Sequence, residues 1–254
     1  GGIGIVAALA VILIVREPPR GGLDGPMAAG AAPPSGFFKT LTMFFSRRSL
    51  MLAALGSGST QFITYGLGNF TTLFLMREKG MTLEQVAVYY ALVVGIAMSA
   101  GIFVSGWVID TFTRRWKQAF ALIPAISLIF AIPFYIAFVW APTWELAILF
   151  LIGPTFLNYF YLSSSVTLVQ QEVRPDQRVM SGALLLLVMN MIGLGFGPTY
   201  VGAASDFFRA SYPDHSLQIA LYTLVPFYVI AIVLFFWLAR VLRDESRQVG
   251  EPVP

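Results

Sequence analysis

Apolar stretches long enough to cross a membrane follow one another along most of the chain. A spanning helix needs about 20 mostly apolar residues, because each residue advances the helix by about 1.5 Å and the hydrocarbon core is about 30 Å thick. Six stretches reach that length, at roughly 49–76, 84–109, 118–140, 144–170, 179–204 and 217–239. The pattern predicts an all-α membrane protein with six full transmembrane helices.

The first fifteen residues are apolar too, but they are too few to cross the hydrocarbon core. A signal peptide carries its positive charge before the apolar run, whereas here the first base, Arg16, follows it. We interpret residues 1–15 as the truncated end of a preceding helix, so that the chain begins partway through a longer protein.

Residues 16–48 predict two kinds of structure. The first part is rich in Pro, Gly and Ala without periodicity, as is typical of a flexible linker. Five apolar residues then fall on one helical face and predict an amphipathic helix at about 36–47. They are Phe37, Phe38, Leu41, Phe44 and Phe45. With its neighbouring bases, this helix fits either the cytoplasmic membrane surface or a position packed under the bundle.

Basic residues favour one side of the membrane. If the loops alternate between the two sides, the set 16–48, 110–117, 171–178 and 240–254 holds 13 of the 16 Lys and Arg residues. The positive-inside rule then makes these loops cytoplasmic. The chain is therefore predicted to comprise a cytoplasmic central loop at 16–48, a six-helix transmembrane domain at 49–240 and a cytoplasmic tail at 241–254.

Composition agrees with lipid as the main solvent. The chain is 57% hydrophobic and only 11% charged, too little charge to cover a water-soluble fold of 254 residues. Its net charge of +3 fits cytoplasmic bases better than an acidic partner, and no nucleic-acid-binding motif is visible. We expect membrane lipid as a partner and no nucleic acid.

Catalytic chemistry is hard to find in the sequence. There is no Cys, the single His, His215, lies in an outer loop, and no GxSxG, HExxH or phosphate-binding loop is present. No Asp, Glu, Lys or Arg falls in the middle third of a predicted span. We therefore expect neither an enzyme nor a cofactor or metal site.

Neutral polar residues recur along three predicted helices. A polar face in lipid must point at protein or at a water-filled cavity. Hydrogen bonds between helices, worth about 0.6–2 kcal/mol each, are one explanation, and a shared cavity is the other. We favour the cavity, because amides are too large to be expected to bond back to their own helix. The predicted pathway residues are Gln61, Thr64, Tyr65, Asn69, Thr155, Asn158, Tyr161, Ser165 and Asn190.

Small residues and a proline interrupt the fifth predicted span. Gly193 and Gly197 form a G-x-x-x-G pattern, which allows close backbone approach. Pro198 removes a helical hydrogen bond and can kink the helix. The three residues are consistent with a hinge that bends during function and equally with a static kink.

Residues 106–115 read GWVIDTFTRR and resemble a loop of the major facilitator superfamily, G-x-x-x-D-R-x-G-R-R, in its second-half copy. Gly106, Asp110, Arg114 and Arg115 match, whereas Thr111 and Thr113 replace the usual base and glycine. Residues 169–208 are similar to bacterial members of the spinster-like branch of that family, which is associated with lipid-like or amphiphilic substrates.

The resemblance implies the C-terminal half of a transporter, with residues 1–15 as the end of the sixth family helix and 49–240 as helices seven to twelve. It implies that Asp110 engages the N-terminal half while the inner side is closed, with Gly106 permitting close approach. We expect a secondary active transporter in a bacterial inner membrane that works by alternating access. It would carry a small or amphiphilic solute, including lipid-like ones, with ion or proton coupling through the N-terminal half. The alternative is a non-transporting receptor or scaffold.

Overall fold

The computed structural model describes residue 11 and residues 36–249, and all regular structure in that part is helical. Residues 36–249 belong to one compact unit. Apart from residue 11, the expected helix end at 1–15 lies outside the described residues, as do the linker up to residue 35 and the last residues of the expected tail.

Seven helices follow one another in this unit. They are α1 (Phe37–Ser46), α2 (Arg48–Arg77), α3 (Leu83–Thr113), α4 (Ala119–Trp140), α5 (Trp144–Glu172), α6 (Pro175–Arg209) and α7, which consists of Ser216–Tyr222 and Val225–Val249. Each of the six apolar stretches of the sequence lies within one of the helices α2 to α7.

Five of these helices, α3 to α7, are long and apolar enough to cross a membrane. Helix α2 is not among them, although its 30 residues span about 45 Å at 1.5 Å per residue. Its length suffices, but a row of Ser, Thr, Gln and Asn side chains interrupts its apolar residues. The described residues thus contain five helices with the composition of a membrane span and a sixth that is long enough but more polar.

Several helices depart from regular α geometry. Helix α3 has wider π-helical turns at Val86–Tyr90 and Val94–Met98, and α6 has one at Met191–Phe196, just before Pro198. Helix α5 is interrupted between Leu157 and Phe160, shortly after Pro154. Proline cannot donate a backbone hydrogen bond, which favours irregular geometry near Pro154 and Pro198, although α4 stays helical through Pro124 and Pro133. Similar irregular turns are frequent at functional sites.

Helix α7 packs against α2 and α4 and forms the largest part of the core. Tyr135 of α4 and Tyr228 of α7 are fully buried, as is Phe235. The Tyr135 hydroxyl donates to the carbonyl oxygen of Leu221 at 2.6 Å, beside the interruption of α7. A buried aromatic side chain thereby satisfies a backbone group close to the break.

Charged side chains join helices at both ends of the unit. At one end Glu172 pairs with Arg47 at 2.7 Å and with Lys117 at 2.6 Å, and its side chain is only 5% exposed. At the other end the Glu78 carboxylate accepts the backbone N–H groups of Leu217 and Gln218 at 2.8 and 2.9 Å. Glu172 therefore connects α5 to the α1–α2 and α3–α4 junctions, and Glu78 connects α2 to the start of α7.

Burial perturbs the two charged residues that follow α2. It raises the pKa of the Glu78 carboxyl above its ordinary value, although the N–H donors of Leu217 and Gln218 oppose the shift. Burial also lowers the pKa of Lys79, whose ammonium group donates to the carbonyl oxygen of Ala141 at 2.6 Å. Both side chains are held at this end of the bundle by hydrogen bonds as well as by charge.

Helix α1 presents different residues to the bundle and to the outside. Thr40 and Phe44 are buried, and α1 contacts α2 and α6. Phe37, Phe38 and Phe45 remain exposed. One side of the helix is therefore packed on the bundle, while three phenylalanines are left available for a membrane surface.

Candidate functional site

A cavity of about 580 Å³ lies between α2, α3, α5 and α6. This volume is within the range of sites for small molecules. Eight of the nine predicted pathway residues line it, namely Gln61, Thr64, Tyr65, Asn69, Thr155, Asn158, Tyr161 and Asn190. Polar residues that are far apart in sequence thus meet at one place, whereas α4 and α7 lie behind the helices that form the wall.

Hydrogen bonds fix the orientation of the Gln61 amide. Asn190 donates from Nδ2 to the carbonyl oxygen of Leu186 at 2.9 Å, and a carbonyl only accepts. The Asn190 oxygen therefore faces Gln61 and accepts from its Nε2 at 3.0 Å. Gln61 Oε1 is left buried without a hydrogen-bond partner among the described residues.

Asn158 leaves a second acceptor in the cavity wall. It lies at the interruption of α5, is 2% exposed, and donates from Nδ2 to the hydroxyl of Tyr228 at 2.8 Å. Its Oδ1 is buried and has no hydrogen-bond partner in the described part of the chain. Two residues of one cavity wall, Gln61 and Asn158, thus each keep a buried amide oxygen without a partner among the described residues, which is costly.

Other predicted residues satisfy their polar groups locally. Thr64 donates to the carbonyl oxygen of Thr60, and Asn69 donates from Nδ2 to that of Tyr65, both at 2.9 Å. The Asn69 amide thus bonds back to its own helix, contrary to the expectation for amides. Ser165 does not line the cavity but pairs with Ser57 at 2.5 Å, so it joins α5 to α2.

Sequence reasoning missed two of the four tyrosines that line the cavity. Tyr90 and Tyr159 line it together with Tyr65 and Tyr161, and the Tyr90 hydroxyl donates to the carbonyl oxygen of Gly68 at 3.4 Å. Apolar side chains, including Met98 and others of α3 and α5, complete the lining. Tyr159 directly follows Asn158 at the helix break, so the nearby Pro154 was the one available signal.

The lining residues of this cavity include no Asp, Glu, Lys, Arg or His. The wall can therefore bind by hydrogen bonding to amides, hydroxyls and phenols and by contact with aromatic and apolar side chains. Such a surface combines hydrogen-bonding groups with apolar contact area, as is usual for small-molecule sites.

The glycines of α6 lie directly against α2. A Cβ atom added at Gly197 would be 2.6 Å from the carbonyl oxygen of Phe62, and one added at Gly193 would be 2.5 Å from Cγ of Gln61. Pro198 follows at the start of the last segment of α6, after the π-helical turn. These residues place the backbone of α6 close to α2 beside the cavity.

The loop motif lies at the opposite end of α3 from the cavity-lining Tyr90. Asp110 is exposed in the last turn of α3, and Arg114 and Arg115 follow it, also exposed. A Cβ added at Gly106 would meet nothing within 4 Å in the described unit. The last turn of a helix disfavours an anion, so Asp110 gains nothing from the dipole of its own helix.

Apolar helices long enough to cross a membrane, together with a polar, uncharged cavity between them, define this protein as a multi-pass membrane protein. Residues 1–198 match the family model described as Major Facilitator Superfamily. The chain belongs to this family of membrane transporters.

Relatives and solved structures agree with this assignment. An MFS-type efflux pump of Mycolicibacterium smegmatis is 28% identical over 96% of this chain and 56% of the pump. Protein spinster homolog 1 of Mus musculus is 24% identical over 85% of this chain and 44% of the relative. A crystal structure of a bacterial homolog to the human lysosomal transporter Spinster, inward-facing and unoccupied, has a TM-score of 0.77 and 27% identity, covering 94% of this chain and 57% of that one. The chain thus spans about half the length of the curated relatives it matches.

Proposed function

We propose that this chain is the C-terminal half of a secondary active transporter that moves a small or amphiphilic solute by alternating access. The observation that carries the proposal is the cavity of about 580 Å³ lined by neutral polar residues of four helices, with acceptor oxygens of Gln61 and Asn158 unpartnered. In transporters of this kind two helical halves move around a central site. This half forms one wall of that site, and the N-terminal half forms the other.

Similar proteins support this function. The crystal structures similar to this chain include a bacterial spinster homolog in inward-facing unoccupied and occupied conformations, with TM-scores of 0.77 and 0.69. One relative is named an efflux pump. We propose a multi-pass location in a bacterial inner membrane, with α2 to α7 as six spans and the ends that carry Arg114 and Glu172 facing the cytoplasm.

The cavity also supports a substrate class. Four tyrosines and several apolar side chains provide contact for an apolar moiety, and the amides, hydroxyls and phenols of the wall provide hydrogen-bonding groups for a polar end. We therefore propose an amphiphilic solute with a hydrogen-bonding polar end. Asp110 acts at the cytoplasmic end as a gating residue that engages the N-terminal half in the inner-closed state.

The function is tested with the complete transporter in proteoliposomes and a fluorescent NBD-labelled lysophospholipid as the probe. Translocation is followed as the fraction of the label protected from external dithionite. We expect protein-dependent translocation, which Gln61→Ala and Asn158→Ala each reduce about tenfold while abundance in the membrane stays near wild type, because each removes one hydrogen bond to the substrate.

Gln170→Ala is the matched control, because Gln170 is an exposed amide on the same helix as Asn158 and does not line the cavity. It is expected to leave translocation unchanged. A fall of abundance in step with translocation would assign Gln61 and Asn158 to packing. The absence of protein-dependent movement of this probe and of a panel of hydrophilic solutes would instead favour a receptor or scaffold.

A further inference from the structure

A second groove lies on the outside of the bundle between α3 and α4, with α5 as its floor. Its volume is about 390 Å³, and it shares no residue with the substrate cavity. Apolar side chains form its wall, among them Val108, Phe112, Trp116, Ile126 and Phe130. The one hydroxyl in the wall, that of Ser127, donates to the carbonyl oxygen of Pro124 at 2.8 Å and is already satisfied. The groove therefore offers apolar contact and no free polar partner.

The groove ends at the basic loop between α3 and α4. Trp116 belongs both to the groove and to a polar depression lined by Arg114 and Arg115, and Phe112 joins the groove to a second depression around the same arginines. The rings of Phe112 and Trp116 are 6.3 Å apart at this junction. The apolar groove thus ends beside the guanidinium groups of Arg114 and Arg115.

The charges at this end are unequally compensated. Lys117 is paired with Glu172 at 2.6 Å, whereas neither Arg114 nor Arg115 forms an ion pair with another described residue. Asp110 lines one of the two depressions that contain both arginines, and Glu172, which is already shared by Arg47 and Lys117, lines the other. The positive charge of Arg114 and Arg115 therefore remains at the end of the groove, where it favours binding of an anion.

We propose that this groove is a binding site for an anionic phospholipid, with one acyl chain lying along the apolar wall and the phosphate held by Arg114 and Arg115. Arginine binds phosphate in bidentate geometry through its planar fork of donors, which suits it to this role. Trp116 lies where the apolar groove meets the basic loop, which matches the preference of tryptophan for the headgroup level of a membrane. The site is separate from the substrate cavity and does not depend on the proposed function.

The lipid site is tested by quenching of tryptophan fluorescence in the complete transporter. The protein is reconstituted with increasing fractions of phosphatidylglycerol or phosphatidylcholine brominated near the headgroup end of one acyl chain. The difference between wild type and Trp116→Phe isolates Trp116, which is 40% exposed and tolerates the change. We expect phosphatidylglycerol to reach half-maximal quenching at a lower lipid fraction than phosphatidylcholine. The difference is expected to be roughly fivefold for each arginine that contributes.

Replacing both arginines distinguishes a specific phosphate site from general electrostatic attraction between the protein and anionic lipid. Arg114→Gln/Arg115→Gln is expected to bring the phosphatidylglycerol curve onto the phosphatidylcholine curve. Arg77→Gln/Arg209→Gln, two exposed arginines at the opposite end of the bundle, is expected to keep the preference.

Three results would overturn the proposal. Equal quenching of Trp116 by both lipids would show a groove without headgroup selectivity. A preference that survives Arg114→Gln/Arg115→Gln would assign the selectivity to other bases. Protection of Trp116 from both brominated lipids would show that protein covers the groove, either the remainder of the transporter or a second copy.

Discussion

Single side chains make the cavity polar without making it charged. The carbonyl of Leu186 orients Asn190, and Asn190 in turn orients Gln61 so that an oxygen remains unpartnered. The sequence predicted that amides in apolar helices meet at one site, because lipid offers no hydrogen bonds. It could not predict which amide atom stays free, since that depends on a contact between α2 and α6 over a separation of 129 residues.

Two predicted pathway residues show the limit of helical periodicity. Ser165 was placed on the face of Thr155, Asn158 and Tyr161, yet it bonds to Ser57 instead of lining the cavity. Tyr161, downstream of the interruption of α5, still lines the cavity, so the period of 3.6 residues selects the correct face but not how far along the helix the cavity extends. Asn69 lies in the cavity wall as predicted, but its amide is satisfied by the carbonyl of Tyr65.

Glu78 is expected to give stability a measurable pH dependence. Burial raises its pKa in the folded protein, so the folded state binds more protons than the unfolded state between the ordinary and the raised value. The contribution of Glu78 to the free energy of unfolding is therefore present at low pH and is lost as the pH rises through this window. Glu78→Gln cannot titrate, and its stability relative to wild type is therefore expected to increase as the pH is raised from about 4 to about 7.

The measurement is thermal unfolding of the complete transporter in detergent over this pH range. Wild type and Glu78→Gln are both studied in a His215→Asn background, because His215 interacts electrostatically with Glu78. Glu84→Gln, which removes an exposed carboxylate near the same end, controls for net charge. A relative stability of Glu78→Gln that decreases with rising pH would show that the two backbone N–H donors, and not burial, dominate at Glu78.

Helices are the level at which sequence reasoning was most successful. Each of the six apolar stretches lies in one helix, because the length and hydrophobicity that lipid demands are directly visible in a sequence. The π-helical turns of α3 and α6 were not predicted. A π-turn changes which backbone groups pair while leaving composition unchanged, so apolar patterning does not report it. Pro198 indicated a kink in α6, but not the form of the irregularity.

Gly197 tests whether α6 needs a close approach to α2. A Cβ at this position would be 2.6 Å from the backbone oxygen of Phe62, which cannot move away as a side chain could. Gly197→Ala is therefore expected to destabilise the complete transporter by about 1–3 kcal/mol, the usual effect of overpacking. The change is measured as a decrease in the midpoint of thermal unfolding in detergent.

Gly195→Ala provides the matched control within the same turn. A Cβ at Gly195 would be 3.9 Å from the nearest atom, the carbonyl oxygen of Asn190, which is ordinary contact. The alanine is expected to be neutral or to stabilise the helix by up to about 1 kcal/mol. Equal effects of the two substitutions would contradict the packing argument and favour a general need for glycine flexibility in α6.

At the scale of the whole molecule, charge is confined to the ends of the bundle. Glu172 links Arg47 and Lys117 at one end, and Glu78 and Lys79 hold α7 and the end of α4 at the other. Between these ends the cavity is lined by amides, hydroxyls and phenols without an acid or a basic side chain. Charged contacts therefore join the helices at the ends, and the cavity between them is neutral.

This distribution of charge leads to an expectation about energy coupling in the complete transporter. A proton-driven transporter needs a group at membrane depth that gains and loses a proton, and the cavity wall described here offers none. If uptake of the NBD-labelled lysophospholipid depends on a pH gradient, we expect the coupling residue to lie in the N-terminal half.

The exposed acids at the outer end, Glu145, Asp206 and Asp214, are changed together to Gln, Asn and Asn. Glu172 is left intact, because its removal would leave Arg47 and Lys117 without their shared counter-charge. Gradient-driven uptake in proteoliposomes is expected to persist in this triple variant at near wild-type rates. Its loss in a variant that keeps the wild-type unfolding midpoint and gradient-independent binding of the probe would place the coupling group in this half.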